Sequence, residues 1–179
     1  SISITALMKI SIFHPEGNLG NNPNLWAMVK ALLSVGHSVN YISNPSPQGG
    51  QDIPHPRFTC WCIRPEVPLD SIIHHSDIVI GVDEGIIPAS RQASHTGRPL
   101  FFISYEIFYE QELHRWRDKI IKRKMVEACA TVSYAVAQDI VRAESLSKEF
   151  GICKDNVLCI PVAGEGCVPR VKNSYLYEH

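Results

Sequence analysis

One stretch, residues 8–44, limits what this chain can become. It reads MKISIFHPEGNLGNNPNLWAMVKALLSVGHSVNYISN. An apolar run over 8–13 enters a Gly/Asn-rich loop over 17–22. A helical pattern follows across 24–35, Gly36-His37 stops it, and a second β-type run occupies 39–43. Strand, loop, helix and strand make the opening βαβ unit of a parallel α/β sheet. Such sheets bind ligands in the crevice outside the carboxyl ends of their strands, so the 17–22 loop is the first candidate site.

The rest of the chain repeats the alternation. Apolar, β-branched or aromatic runs stand at 9–13 (KISIF), 39–43 (VNYIS), 58–63 (FTCWCI), 77–82 (DIVIGV), 99–104 (PLFFIS), 130–133 (ATVS) and 156–161 (NVLCIP). Several are continuously apolar, as in strands covered on both faces. Helical patterns lie between them at 24–35, 69–75, 86–95, 107–128 and 135–149. The fold class this predicts is α/β: a doubly wound, Rossmann-like parallel sheet with helices on both faces. Residues 1–179 are read as a single domain. The segment VPRVKNSYLYEH completes no further βα unit, so the chain is expected to be cut at a linker. The start, SISITALMK, is read as a short extension before the first strand and not as a secretion signal.

Composition narrows the partners. The net charge is −1, which offers no global field for nucleic acid. No apolar run approaches the ~20 residues of a membrane span. Six cysteines stand at 60, 62, 129, 153, 159 and 167, without C-x-x-C or zinc-type His spacing. Buried free thiols in a reducing cytoplasm are the expectation, with no metal site.

Two segments leave alternatives open. The loop 44–57 carries four prolines and two glycines; it either borders the crevice or is a plain surface connection. In the helical pattern 107–128, Tyr109, Leu113, Trp116 and Ile120 form one apolar face. Between Arg115 and Lys124 there are six basic residues against one acid, Asp118. Residues 114–124 are therefore either a peripheral contact for anionic lipid or a solvated basic face.

Several known chemistries are excluded or weak. There is no G-K-[ST] phosphate loop and no G-x-S-x-G elbow. The dinucleotide fingerprint G-x-G-x-x-G is absent, and Ser43-Asn44 stand where an acid would hold a ribose. Polar residues do gather at strand ends. His14 follows the first strand, Asp83-Glu84 the fourth and Tyr105-Glu106 the fifth, while Glu165 lies beyond the last. In a parallel sheet these share one edge with Gly17, Asn18, Gly20, Asn21 and Asn22. The acids there either bind hydroxyls and move protons or serve helix dipoles; the cluster as a whole favours a site. His37, in the Gly-His turn, is expected to hydrogen-bond backbone.

In order along the chain, four landmarks resemble the N-terminal domain of GT-B glycosyltransferases, most nearly family 4. They are GNLGNNPNLWAMVKALLSVGHSV, SDIVIG (76–81), PLFFISYE (99–106), and ATVSYAVAQDIVRAESLSKEFGICKDNVLCIPVAGEG (130–166). The family's paired glycines fall on Leu19 and Gly20, its histidine on Tyr105 and its acid on Glu106. The asparagine of its I-P-N-G turn is missing. The resemblance implies an acceptor-side half-fold whose C-terminal donor domain, or a partner subunit, is absent from this chain. It implies sugar transfer from a nucleotide sugar to a glycan, lipid or small-molecule hydroxyl, as in polysaccharide biosynthesis, with no metal or organic cofactor. Tyr105 and Glu106 would be catalytic, and Gly17, Asn18, Gly20, Asn21 and Asn22 would form the donor-phosphate and acceptor loop. His14, Asp83, Glu84 and Glu165 would bind the acceptor. A cytoplasmic place is expected, with membrane association as the alternative that the basic segment 114–124 leaves open. The isolated half is expected to be inactive. The alternatives are a non-catalytic carbohydrate-binding or partner module, and a nucleotide- or NAD-binding Rossmann domain.

Overall fold

The structure, a computed structural model, describes residues 6–15, 18–45 and 53–161. Gly17 and Glu165 therefore lie outside the described residues, as does Cys167. Among the described residues seven parallel strands form one sheet: β1 (Lys9–Phe13), β2 (Ser38–Ser43), β3 (Phe58–Cys62), β4 (Ile78–Val82), β5 (Leu100–Ile103), β6 (Tyr134–Ala137) and β7 (Val157–Cys159). Their order is β3-β2-β1-β4-β5-β6-β7. Among the described residues five helices connect them: α1 (Pro23–Ser34), α2 (Leu69–His74), α3 (Ile86–Thr96), α4 (Trp116–Cys129) and α5 (Ile140–Phe150).

The order reverses between β1 and β4. From β1 the chain steps outward to β3, then returns to β4 and steps the other way to β7. Right-handed crossovers place connections of opposite sense on opposite faces. Accordingly Leu25, Val29 and Leu33 of α1 pack with Ile10, Ile12, Val39 and Tyr41 on one face. The other face packs Ile73 of α2, Ile86 of α3, Met125 of α4 and Phe150 of α5 against Phe13, Val79 and Phe102. The doubly wound α/β sheet is thus as expected, with its helices shared unequally between the faces.

Three boundaries differ from expectation. The run 130–133 is not a strand: it closes α4 with turns, Ala130 N–H bonding Glu127 O and Val132 N–H bonding Cys129 O. The strand is the next four residues, YAVA, whose alanines read as helix when judged by propensity alone. Pairing of β6 with β5 and β7 decides their state. Helix α5 then starts where Asp139 caps it, its side chain accepting from Arg142 N–H at 2.8 Å. Helix α4 starts at Trp116, not near 107; residues 104–115 form an irregular segment with one 3-10 turn at Glu110–Glu112.

The thiols also depart from expectation. The five described cysteines are free, but only Cys129 is buried; Cys60 and Cys62 are half-buried, and Cys153 and Cys159 are exposed. His37 behaves as expected, its Nδ1 accepting from Met8 N–H at 3.1 Å.

Candidate functional site

The reversal between β1 and β4 opens the crevice that this topology reserves for ligands. Two tight turns border it. After β4 the chain turns at once into α3 through Asp83–Gly85. A Cβ on Gly85 would lie 2.0 Å from the carbonyl oxygen of Phe13, at the end of β1. Only a glycine lets the two strand ends come this close. Gly85 was not among the sequence candidates, although it directly follows Asp83-Glu84.

Asp83 is buried and sits at φ 47°, in the left-handed region. Its Oδ1 accepts the backbone N–H groups of Tyr105 at 2.8 Å and Glu106 at 3.1 Å. The carboxylate therefore ties the end of β4 to the segment leaving β5, a role that the acceptor-binding expectation did not include. Glu84 is half-buried beside it in the same turn.

The segment after β5 is held from the other side as well. Arg142 Nη1 donates to Tyr105 O at 2.7 Å and to Gln138 Oε1 at 3.3 Å. Gln138 Nε2 donates to Ser104 O at 2.8 Å, and Ser104 Oγ to Glu106 O at 2.9 Å. None of these three side chains was a sequence candidate, although all stand within the family-like motifs. Tyr105 is half-buried, and burial first, then the Asp83 charge, push its hydroxyl up to about 12. It is a neutral hydrogen-bond donor and a poor base at neutral pH. Glu106 is exposed.

On the β1 side, His14 is buried, and its Nδ1 lies 2.7 Å from the Tyr41 hydroxyl. Burial lowers the His14 pKa from 6.5, so the imidazole is neutral at pH 7. The His14 N–H bonds Ile42 O at 2.9 Å, and Asn44 N–H approaches Pro15 O at 3.4 Å. The start of the proline-rich loop thus does meet the β1 exit; residues 46–52 lie outside the described residues.

The Gly/Asn loop is built by its own side chains. Asn18 Oδ1 accepts from Gly20 N–H at 3.0 Å and opens a 3-10 turn, Leu19–Asn21. Asn22 caps α1, its Oδ1 accepting from Leu25 N–H at 3.0 Å. Pro23 has no N–H. The helix therefore presents Asn24 as the first-turn amide outside the cap, fewer donors than the loop suggested. Gly20 and Asn21 are exposed. Among the described residues no group of three or more His, Cys, Asp or Glu could hold a metal ion. No helix among them is long and apolar enough to cross a membrane.

Comparison with solved structures places this architecture. Anabaena HepE in complex with UDP-glucose superposes with a TM-score of 0.66 at 14% identity, over 87% of this chain and 44% of that one. The chain has a GT-B half-fold. UDP-GlcNAc 2-epimerase from Methanocaldococcus jannaschii gives a TM-score of 0.54 at 12% identity, over 85% of this chain and 45% of that one. The wall teichoic acid polymerase TagF gives 0.52 at 6% identity, over 87% and 38%. The chain thus spans less than half the length of these structures. No family model matches it, and no curated protein matches it in sequence.

Proposed function

We propose that this chain is the acceptor-side half of a GT-B glycosyltransferase, moving a sugar from a nucleotide sugar to a glycan, lipid or small-molecule hydroxyl. One observation carries the reading. Asp83 holds the Tyr105–Glu106 backbone at the end of β4, beside the strand that leads into the Gly/Asn loop, in a fold shared with a protein solved with UDP-glucose. In this reading Gly17, Asn18, Gly20, Asn21 and Asn22 line the donor-phosphate and acceptor side. Tyr105 donates a hydrogen bond to the sugar, and Glu106 supplies the exposed carboxylate. His14, Glu84 and Glu165 border the acceptor, while Asp83 positions the turn.

The nucleotide sugar is a co-substrate, with no metal or organic cofactor. Charge on the leaving diphosphate is met by amides and basic side chains, most of them supplied by a donor domain in a longer chain or a partner subunit. The setting we propose is cytoplasmic.

Sugar transfer from UDP-glucose tests the proposal. The 179-residue chain alone is expected not to turn over, and its assembly with a second Rossmann-like domain is expected to do so. Tyr105→Phe and Glu106→Gln should each lower kcat in that assembly. Measurable transfer by the chain alone would refute the half-site reading. The likeness to an epimerase supports a second reading, which product analysis separates: an epimerised nucleotide sugar instead of a glycosylated acceptor.

A further inference from the structure

Of the apolar stripe in the 107–128 pattern, the two residues on α4, exposed Trp116 and half-buried Ile120, lie away from its core side. The core side of α4 is Lys122, Met125, Ala128 and Cys129. Trp116 opens the helix at 78% exposure. Three, four and seven residues on, the same side carries Lys119, Ile120 and Arg123. Together with Leu113 and Val126 these line a surface groove of about 510 Å3.

Lys122 explains the inversion. Its ammonium lies 2.7 Å from Phe108 O, 3.1 Å from Glu149 Oε2 and 3.8 Å from the Phe150 ring centre. It is buried and paired, so it leaves the surface charge. Arg115, Arg117, Lys119, Arg123 and Lys124 remain exposed. Of the nearby acids, Glu149 is engaged by Lys122, Glu127 lies 3.8 Å from Arg123 and Asp118 is half-buried, while Glu110 on the groove rim and Glu112 beside Leu113 are exposed.

We propose that the outward face of α4 docks on an anionic lipid bilayer. Trp116 and the aliphatic side chains would enter the headgroup boundary while the cations meet lipid phosphates. Helical spacing sets Lys119 and Arg123 on one flank of Trp116, and Arg117 and Lys124 on the other, as in an interfacial helix. The whole chain carries only −1, so these cations are a local concentration. A stable protein interface takes about 800 Å2 from each partner, more than one tryptophan and three aliphatic side chains provide. The surface does not depend on sugar transfer. Because α4 leaves the carboxyl end of β5, docking would bring the crevice edge toward the bilayer.

Co-sedimentation of the chain with phosphatidylcholine vesicles containing phosphatidylglycerol, against pure phosphatidylcholine vesicles, tests this. Binding is expected to the anionic vesicles alone and should weaken with salt. Lys119→Ala with Arg123→Ala should lower the partition coefficient about 25-fold, about fivefold per cation. Trp116→Ala should lower it about tenfold. These side chains are exposed, so melting temperatures should match the parent and a loss of binding reads the surface. Absence of binding by the parent chain overturns the proposal, as does undiminished binding by the variants. Self-association abolished by Trp116→Ala would also overturn it, assigning the face to a second copy.

Discussion

The Asp83 carboxylate accepts the Tyr105 backbone N–H at 2.8 Å, joining residues 22 apart through one side chain at the end of two neighbouring strands. The same oxygen takes the Glu106 N–H. Asp83→Ala removes both bonds and leaves an alanine at φ 47°. A bond to a charged group contributes about 1.5–3 kcal/mol, and the left-handed backbone costs an alanine about 1 kcal/mol more. Urea denaturation should show a loss of at least about 4 kcal/mol. Asp83→Asn keeps an acceptor oxygen and a residue tolerant of this conformation, so its loss should be about 1 kcal/mol. Equal losses in the two variants would contradict the clamp.

The pH dependence follows from the buried acids. Tyr105 is pushed from 10.0 up to about 12 by burial and then by Asp83, and Cys129 from 9.0 up to about 12 by burial. Each keeps its proton in the fold after the unfolded chain has lost it. Their contribution is intact below pH 9 and disappears as pH rises through 12. His14 works in the opposite sense: lowered from 6.5 by burial, it contributes above that pH and loses the contribution on acidification. The urea midpoint should therefore fall on both sides of a plateau between these limits. In Asp83→Asn, ultraviolet titration should show Tyr105 ionising at lower pH than in the parent, because burial remains but the charge is gone.

Two glycines should respond differently to alanine. At Gly85 the new Cβ meets backbone at 2.0 Å, so β1 and the β4 exit must separate. Overpacking against backbone costs about 3 kcal/mol. At Gly97, φ is 67° and nothing lies within 4 Å, so the cost is the left-handed penalty alone, about 1 kcal/mol. A Gly85→Ala protein as stable as Gly97→Ala would contradict the close approach described at the crevice.

The buried pair on α4 should matter far more than the exposed pair beside it. Lys122→Ala leaves Glu149, with a side chain 17% exposed, without its cation; the expected loss is about 3 kcal/mol. Arg123 and Glu127 are 73% and 69% exposed, and Arg123→Ala should cost less than about 1 kcal/mol. Thermal melts of the two variants side by side provide the check.

These residues also show where sequence reading reaches its limit. Continuous apolar runs declare buried parallel strands without help from neighbours, and six of the seven strands were legible in this way. β6 was not, because YAVA carries helix-forming alanines and its state is set by pairing with β5 and β7. The α4 stripe misled because Trp116 and Ile120 repeat at helical spacing, whereas the inward residue is a lysine whose partners, Phe108 O and Glu149, lie 14 and 27 residues away. In the candidate site, the clustering of polar residues at strand ends could be read. The division of labour could not, since Asp83 acts on amides brought to it only by the β4–β5 register.

The Gly/Asn loop offers the sharpest separation of structure from binding. Asn22 caps α1 through Leu25 N–H, and Asn22→Ala should cost about 1 kcal/mol of stability. Asn21 is exposed in the preceding 3-10 turn, so Asn21→Ala should leave the melting temperature within about 1 °C of the parent. If the loop meets the nucleotide sugar, Asn21→Ala should nevertheless weaken UDP-glucose binding several-fold in the assembly with a donor domain, read by isothermal titration. Unchanged affinity in Asn21→Ala would remove its side chain from the donor site and leave the loop a purely structural lead-in to α1.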